Sequence, residues 1–301
     1  MDFAISRRTA AGLLTGAATS GGLIQSARAE THHSIPNEIT QWTQDDKVMA
    51  LAKQQGRTDE GRVIWRFQGV INGFKAPDSP TPLVRYSGCE QQWWEPQGDG
   101  TFVRYSSLLT YFRDLDSGKI IRSFTNPMTD VTVDIKENWS RQPEGQEVSK
   151  RGIVNPLLDK AFPDFYATSS VDDFRIRLID GTVSFWETVQ TPKELARGPY
   201  SQDKSFYASF EEIVNPDITS ARTRGGAYIL MPSFANIGMI DPSQGQVLWH
   251  VEFYKVDSLE DVESDYLDAA YADYGDDFET NPKFDEAPSK LGARLKEMGY
   301  L

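Results

Sequence analysis

The sequence predicts an all-β protein with peripheral helices, and three observations predict it. Between residues 63 and 256, β-branched and aromatic residues recur with a period of two, the mark of half-buried strands. Short turns of the Asp-x-Gly and Asn-Pro kind separate these runs, which favours an antiparallel meander. No run alternates with a long helix, so a parallel sheet of βαβ units is disfavoured.

Residues 1–29 differ in kind from the rest. Arg7-Arg8, a mild apolar run and Ala27-Arg28-Ala29 read in order as a twin-arginine export signal with its cleavage site. The run is too rich in Gly, Ser and Thr for a stable span, which wants about 20 mostly apolar residues. Residues 30–62 form an N-terminal helical segment. Glu38 to Gln55 is predicted as one helix, with Ile39, Trp42, Val48, Met49 and Leu51 facing inward and Gly56 stopping it.

The strand domain follows at 63–256. Val63 to Val70, Leu83 to Trp94 and Thr101 to Arg113 are its first strands. The chain turns at Asp116-Ser117-Gly118, and Ile120 to Phe124 and Val131 to Ile135 follow. The polar stretch Glu137 to Lys150 reads as a loop. Phe174 to Ile179 and Thr182 to Val189 flank Asp180-Gly181, a pair suited to a type I′ turn. Ser205 to Val214, Gly226 to Met231 and Gln246 to Val256 complete nine or ten strands. Such a count suits a closed or nearly closed antiparallel barrel of lipocalin-like shape, with a sandwich as the alternative. Residues 257–301 form an acidic helical segment packing on the barrel, with helices at Ser258 to Ala272 and Ser289 to Met298.

Composition excludes several functions. The 301 residues carry 31 Lys+Arg against 44 Asp+Glu, a formal charge of −13. That balance repels phosphate backbones, so nucleic acid is not an expected partner. One cysteine, Cys89, excludes an internal disulfide and a cysteine-rich zinc site. There is no His-x-x-x-His pair, no Gly-x-Ser-x-Gly elbow, no Walker loop and no Gly-x-Gly-x-x-Gly fingerprint. No metal and no cofactor is therefore expected. The Asp114-x-Asp116-x-Gly118 pattern is better explained as a hairpin than as a calcium loop, since Thr125 stands where a closing Glu belongs.

Two sets of residues remain as site candidates. In a strand, His250, Glu252 and Tyr254 share one face and Trp249, Val251 and Phe253 the other. A His and a Glu two residues apart lie about 7 Å from each other, within reach of a base and its orienter. Arg104 shares a face with Phe102, Ser106 and Leu108, while Tyr105, Tyr111 and Arg113 lie opposite. Arg104 and Tyr105 inside a barrel would bind a carboxylate or polarise a carbonyl. The candidate catalytic set is thus His250, Glu252, Arg104 and Tyr105. Trp93, Trp94, Tyr111, Arg113 and Trp186 are candidates to line a ligand cavity by stacking on a flat molecule.

The turns also carry a resemblance. Tyr111-Phe112-Arg113-Asp114-Leu115-Asp116-Ser117-Gly118-Lys119, then Phe124-Thr125-Asn126-Pro127-Met128-Thr129, resembles the paired turns of the bacterial domain-of-unknown-function family numbered 1838. Met231-Pro232-Ser233-Phe234-Ala235-Asn236-Ile237-Gly238, with the strand around Trp249, is similar to a later Pro-Trp-Met-x-Met-Gly segment of that family. The resemblance spans about Val63 to Pro288 and implies its shape and export habit, not a reaction. Lys136-Glu137-Asn138-Trp139 departs from it where the family has a His and an Asn-Asp-Pro.

The expected protein is therefore periplasmic or secreted, delivered by the twin-arginine machinery, with no membrane span after cleavage. It encloses a small apolar or aromatic molecule, with cofactor-independent acid–base chemistry (isomerase, lyase or hydrolase type) if it is an enzyme. The alternatives are a non-catalytic carrier and an envelope interaction protein.

Overall fold

The central sheet has ten antiparallel strands in an order that brings the end of the strand region back beside its beginning. The computed structural model describes residues 34–189, 191–192, 194–195 and 201–301. These residues belong to a compact unit, His33–Leu301. The predicted export signal, with its Arg7-Arg8 pair and its cleavage site, lies outside them.

Thr43 opens the first helix, α1 (Gln44–Gln55), through a capping box with Asp46: the Thr43 backbone N–H donates to Asp46 Oδ2 at 2.7 Å. The cap explains why the predicted helix begins six residues late. Residues 39–41 ahead of it form only a 3₁₀ turn. Gly56 ends α1, its N–H reaching Ala52 O at 2.8 Å.

The strands are β1 (Gly61–Phe74), β2 (Thr81–Pro96), β3 (Phe102–Arg113), β4 (Ser123–Asn126), β5 (Val131–Asp134), β6 (Asn138–Ser149) and β7 (Gly152–Val154), followed by β8 (Arg175–Ile179), β9 (Thr182–Val189), β10 (Ser201–Ser209), β11 (Thr223–Met231) and β12 (Gln246–Val256). The main sheet runs β7-β6-β3-β2-β1-β12-β11-β10-β9-β8 and curls into a half-barrel. A separate two-stranded hairpin is made by β4 and β5. The turn between β8 and β9 takes positive φ at both Asp180 (48°) and Gly181 (72°), as a type I′ turn requires.

Two expectations are corrected. The polar stretch 137–150 is not a loop but the 12-residue strand β6, paired with β3 across a register shift. Its glycine, Gly145, takes φ 70° beside that irregularity. The strand expected to run on to Val214 ends at Ser209. Its last residues form a short helix, α2 (Phe210–Val214).

Each sheet face has its own cover. Inside the curl, α1 packs Val48, Leu51 and Ala52 against Trp65, Phe206 and Phe253 in one large cluster. Outside, a helix α3 (Ser264–Tyr274) docks over β1, β2 and β3 in a second cluster with Ile64, Cys89, Leu109 and Tyr111. Tyr266 at its centre is fully buried. Its hydroxyl accepts from Cys89 N at 3.1 Å and donates to Leu109 O at 3.0 Å, bridging a pair of facing residues of β2 and β3. Burial pushes both the Tyr266 phenol and the Cys89 thiol upward, which keeps the thiol protonated and inert. Among the described residues no helix is long and apolar enough to cross a membrane.

Candidate functional site

Strand alternation decides which side chains enter the curl. From β1 come Trp65 and Phe67, from β2 Tyr86, Glu90 and Gln92, from β3 Arg104, Leu108 and Thr110, and from β12 Trp249, Val251 and Phe253. The strands β10 and β11 add Gln202, Lys204, Phe206, Ala227, Ile229 and Met231. Together with Gln55 at the end of α1, they line a cavity of about 340 Å³. That volume lies at the small end of the range for small-molecule sites, about 300–1,000 Å³. The β4–β5 hairpin supports one wall: Asn126 Nδ2 donates to Ile237 O at 2.7 Å, holding the turn whose Phe234 packs 5.1 Å from Trp249.

The cavity is apolar along most of its length and polar at one end. Trp65, Phe206 and Phe253 meet edge to face or tilted, with centroids 5.0–5.9 Å apart. At the polar end Arg104 Nε donates to Gln146 Oε1 at 2.9 Å and Nη1 to Gln55 Oε1 at 3.1 Å. The guanidinium also lies 5.9 Å over the Trp94 ring. Burial pulls Arg104 below its ordinary value, opposed by the charges of Glu90 and Glu187. It stays cationic at any working pH. A chain of donors runs beside it, from Trp94 Nε1 to Gln92 Oε1 and from Gln92 Nε2 to Glu90 Oε1, both at 3.0 Å.

The four candidate catalytic residues do not come together. Arg104 is inside. Tyr105, next in the chain, faces outward under Lys283 at 5.4 Å. Trp249, Val251 and Phe253 claim the inner face of β12, so His250 and Glu252 face outward. There they line a groove of about 450 Å³ with Arg85, Arg113 and Glu263. His250 stacks on Tyr228 with centroids 4.8 Å apart, and Tyr254 Oη donates to Glu252 at 3.3 Å.

The ligand-lining candidates are also divided. Trp94 is buried inside, beneath the cavity's polar end. Trp93 alternates to the outer face, cross-strand from Tyr105. Tyr111 is an outer-cluster residue whose hydroxyl donates to Asp273 at 2.7 Å. Arg113 is outside too, donating to Ser87 at 2.7 Å and paired with Asp265 at 2.6 Å. Trp186 lines a third hollow, of about 720 Å³, between β7 and β9, with Arg177 4.8 Å over its ring. Lys204 lines both that hollow and the cavity, so the two share a wall.

Sequence reasoning missed Gln55, Lys204 and most of the aromatic wall. Gln54-Gln55, shortly after the apolar run 48–52, carried a signal, since buried amides need partners. Among the described residues no group of three or more His, Cys, Asp or Glu side chains is placed to hold a metal ion. No protein-family model matches the chain, and no curated protein does either.

Proposed function

We propose that this chain is an exported small-molecule binding protein that takes an apolar or aromatic molecule into the interior of its half-barrel. The observation that carries this reading is the internal cavity of about 340 Å³, walled by Trp65, Phe67, Phe206, Trp249 and Phe253. A curled antiparallel half-barrel suits such a role in general. Binding is favoured over acid–base catalysis because His250 and Glu252 stand across the sheet from the cavity. A neutral probe that fluoresces in apolar surroundings, N-phenyl-1-naphthylamine, tests the reading. It should bind the purified protein, and Ile229→Trp, which fills the cavity, should weaken binding tenfold or more while far-UV circular dichroism stays native. Equal binding by the variant would place the probe elsewhere and refute the reading.

The export reading rests on Arg7-Arg8 and Ala27-Arg28-Ala29. Replacing Arg7 and Arg8 together by Lys should leave the chain uncleaved and cytoplasmic in a host with the twin-arginine machinery. Undiminished export would remove the assignment.

A further inference from the structure

We propose that the ligand of the interior cavity is a carboxylic acid with a flat apolar body, its carboxylate held by Arg104. This inference rests on the cavity being the binding site and adds the chemical class of what binds.

A guanidinium has five N–H donors in a planar fork. Arg104 uses two of them, on Gln146 and Gln55, and both acceptors are neutral amides. Among the described residues no carboxylate lies within ion-pair distance of it, although it sits half-buried on the cavity wall. Three N–H groups therefore lack a protein acceptor, and a half-buried charge left in that state favours an anionic ligand. Other donors nearby are also unspent. Gln55, 3% exposed, leaves its Nε2 without a partner among the described residues. Lys204 lines the same cavity, and among the described residues no carboxylate is bonded to its ammonium.

Unspent donors at the end of an apolar cavity call for an acceptor-rich ligand group. The charge balance selects its valence. Glu90 lines the cavity, and Glu187 lies cross-strand from Lys204 and acts on Arg104 electrostatically. With two carboxylates against two cations, a dianion such as a phosphate monoester would meet repulsion that a monoanion largely escapes. A carboxylate fits the planar fork, and the aromatic wall accepts a ring system behind it.

The test compares 2-naphthoate with its near-isosteric neutral amide, 2-naphthamide, by isothermal titration calorimetry at pH 7. The acid should bind the wild-type protein about tenfold or more tightly than the amide, a difference of roughly 1.4 kcal/mol. Arg104→Met should erase that preference, and Arg104→Lys, which keeps the charge but loses the fork, should reduce it. Equal affinities for acid and amide in the wild type would overturn the proposal while leaving the cavity reading intact, with no variant needed. A preference that survives Arg104→Met would overturn it as well. If neither compound binds the wild type, the cavity reading fails and takes this inference with it.

Discussion

Gly69→Ala should destabilise the protein by about 3–5 kcal/mol, at the upper end of what overpacking costs. Gly69 sits in mid-β1, opposite Tyr86 of β2 and Val251 of β12. A Cβ built there would lie 1.9 Å from the His250 carbonyl oxygen and 2.5 Å from the Tyr86 hydroxyl. Neither can retreat. The carbonyl belongs to the backbone of β12, fixed by its ladder to β1 on one side and β11 on the other. The hydroxyl donates to that same carbonyl at 3.0 Å, so the tyrosine lies across the glycine to make its bond. Tyr86 is buried at 2% exposure, and its ring packs 4.9 Å from Trp249 on the cavity wall. The missing side chain at 69 is thus what lets an aromatic wall form there. Guanidinium denaturation followed by tryptophan fluorescence would measure the loss. Gly226→Ala is the milder comparison, since its Cβ would meet only the Val251 carbonyl oxygen, at 3.1 Å. A Gly69→Ala protein within 1 kcal/mol of wild type would contradict this account of the wall.

Much of this architecture was legible locally. Asp180-Gly181 announced its hairpin because few residue pairs accept two positive φ values in succession. The alternation in 101–113 and 247–255 separated Arg104 from Tyr105 and Trp249 from His250 because the strand period is two. Which of those faces is the interior was not legible. That depends on β1 pairing with β12, about 180 residues later, and on α1 covering one side of the curl. The tandem Trp93-Trp94 shows the cost: grouped as one wall in the sequence, the two rings lie on opposite faces. Strand β6 was unreadable for a similar reason. Its polar side chains satisfy the distant C-terminal segment, with Arg141 Nε donating to Asp285 at 2.6 Å and Glu144 Oε1 accepting from Ser289 N at 3.0 Å. Local pattern has no access to partners that far along the chain.

Lys255→Met should cost about 1–3 kcal/mol at pH 7, and the deficit should widen as pH rises toward 10. Lys255 stands near the end of β12, its Nζ 5.5 Å over the Trp65 ring. Nζ donates to Lys53 O and Gly56 O, each at 2.9 Å, and to Ser220 Oγ at 3.3 Å. The two carbonyls belong to the C-terminal end of α1, where the helix leaves acceptors unpaired and its dipole favours a cation. Methionine fills the space but removes these charge-assisted bonds, leaving Lys53 O to the Ala221 N–H at 2.9 Å and Gly56 O to the Ser220 hydroxyl at 2.8 Å. Among the described residues no carboxylate pairs with this ammonium, and burial pulls it well below the ordinary lysine value, with only Glu212 opposing by charge. Between the folded value and the unfolded one near 10.4, the unfolded chain binds more protons than the native chain. Stability contributed by a group lowered on folding is complete above the unfolded value and is lost as pH falls through the folded one. The wild type should therefore gain on the methionine variant between pH 7 and pH 10, all other titrations being common to both. Paired denaturation curves at the two pH values decide it: a gap that stays level or narrows would mean that Lys255 keeps its charge at no cost in the fold.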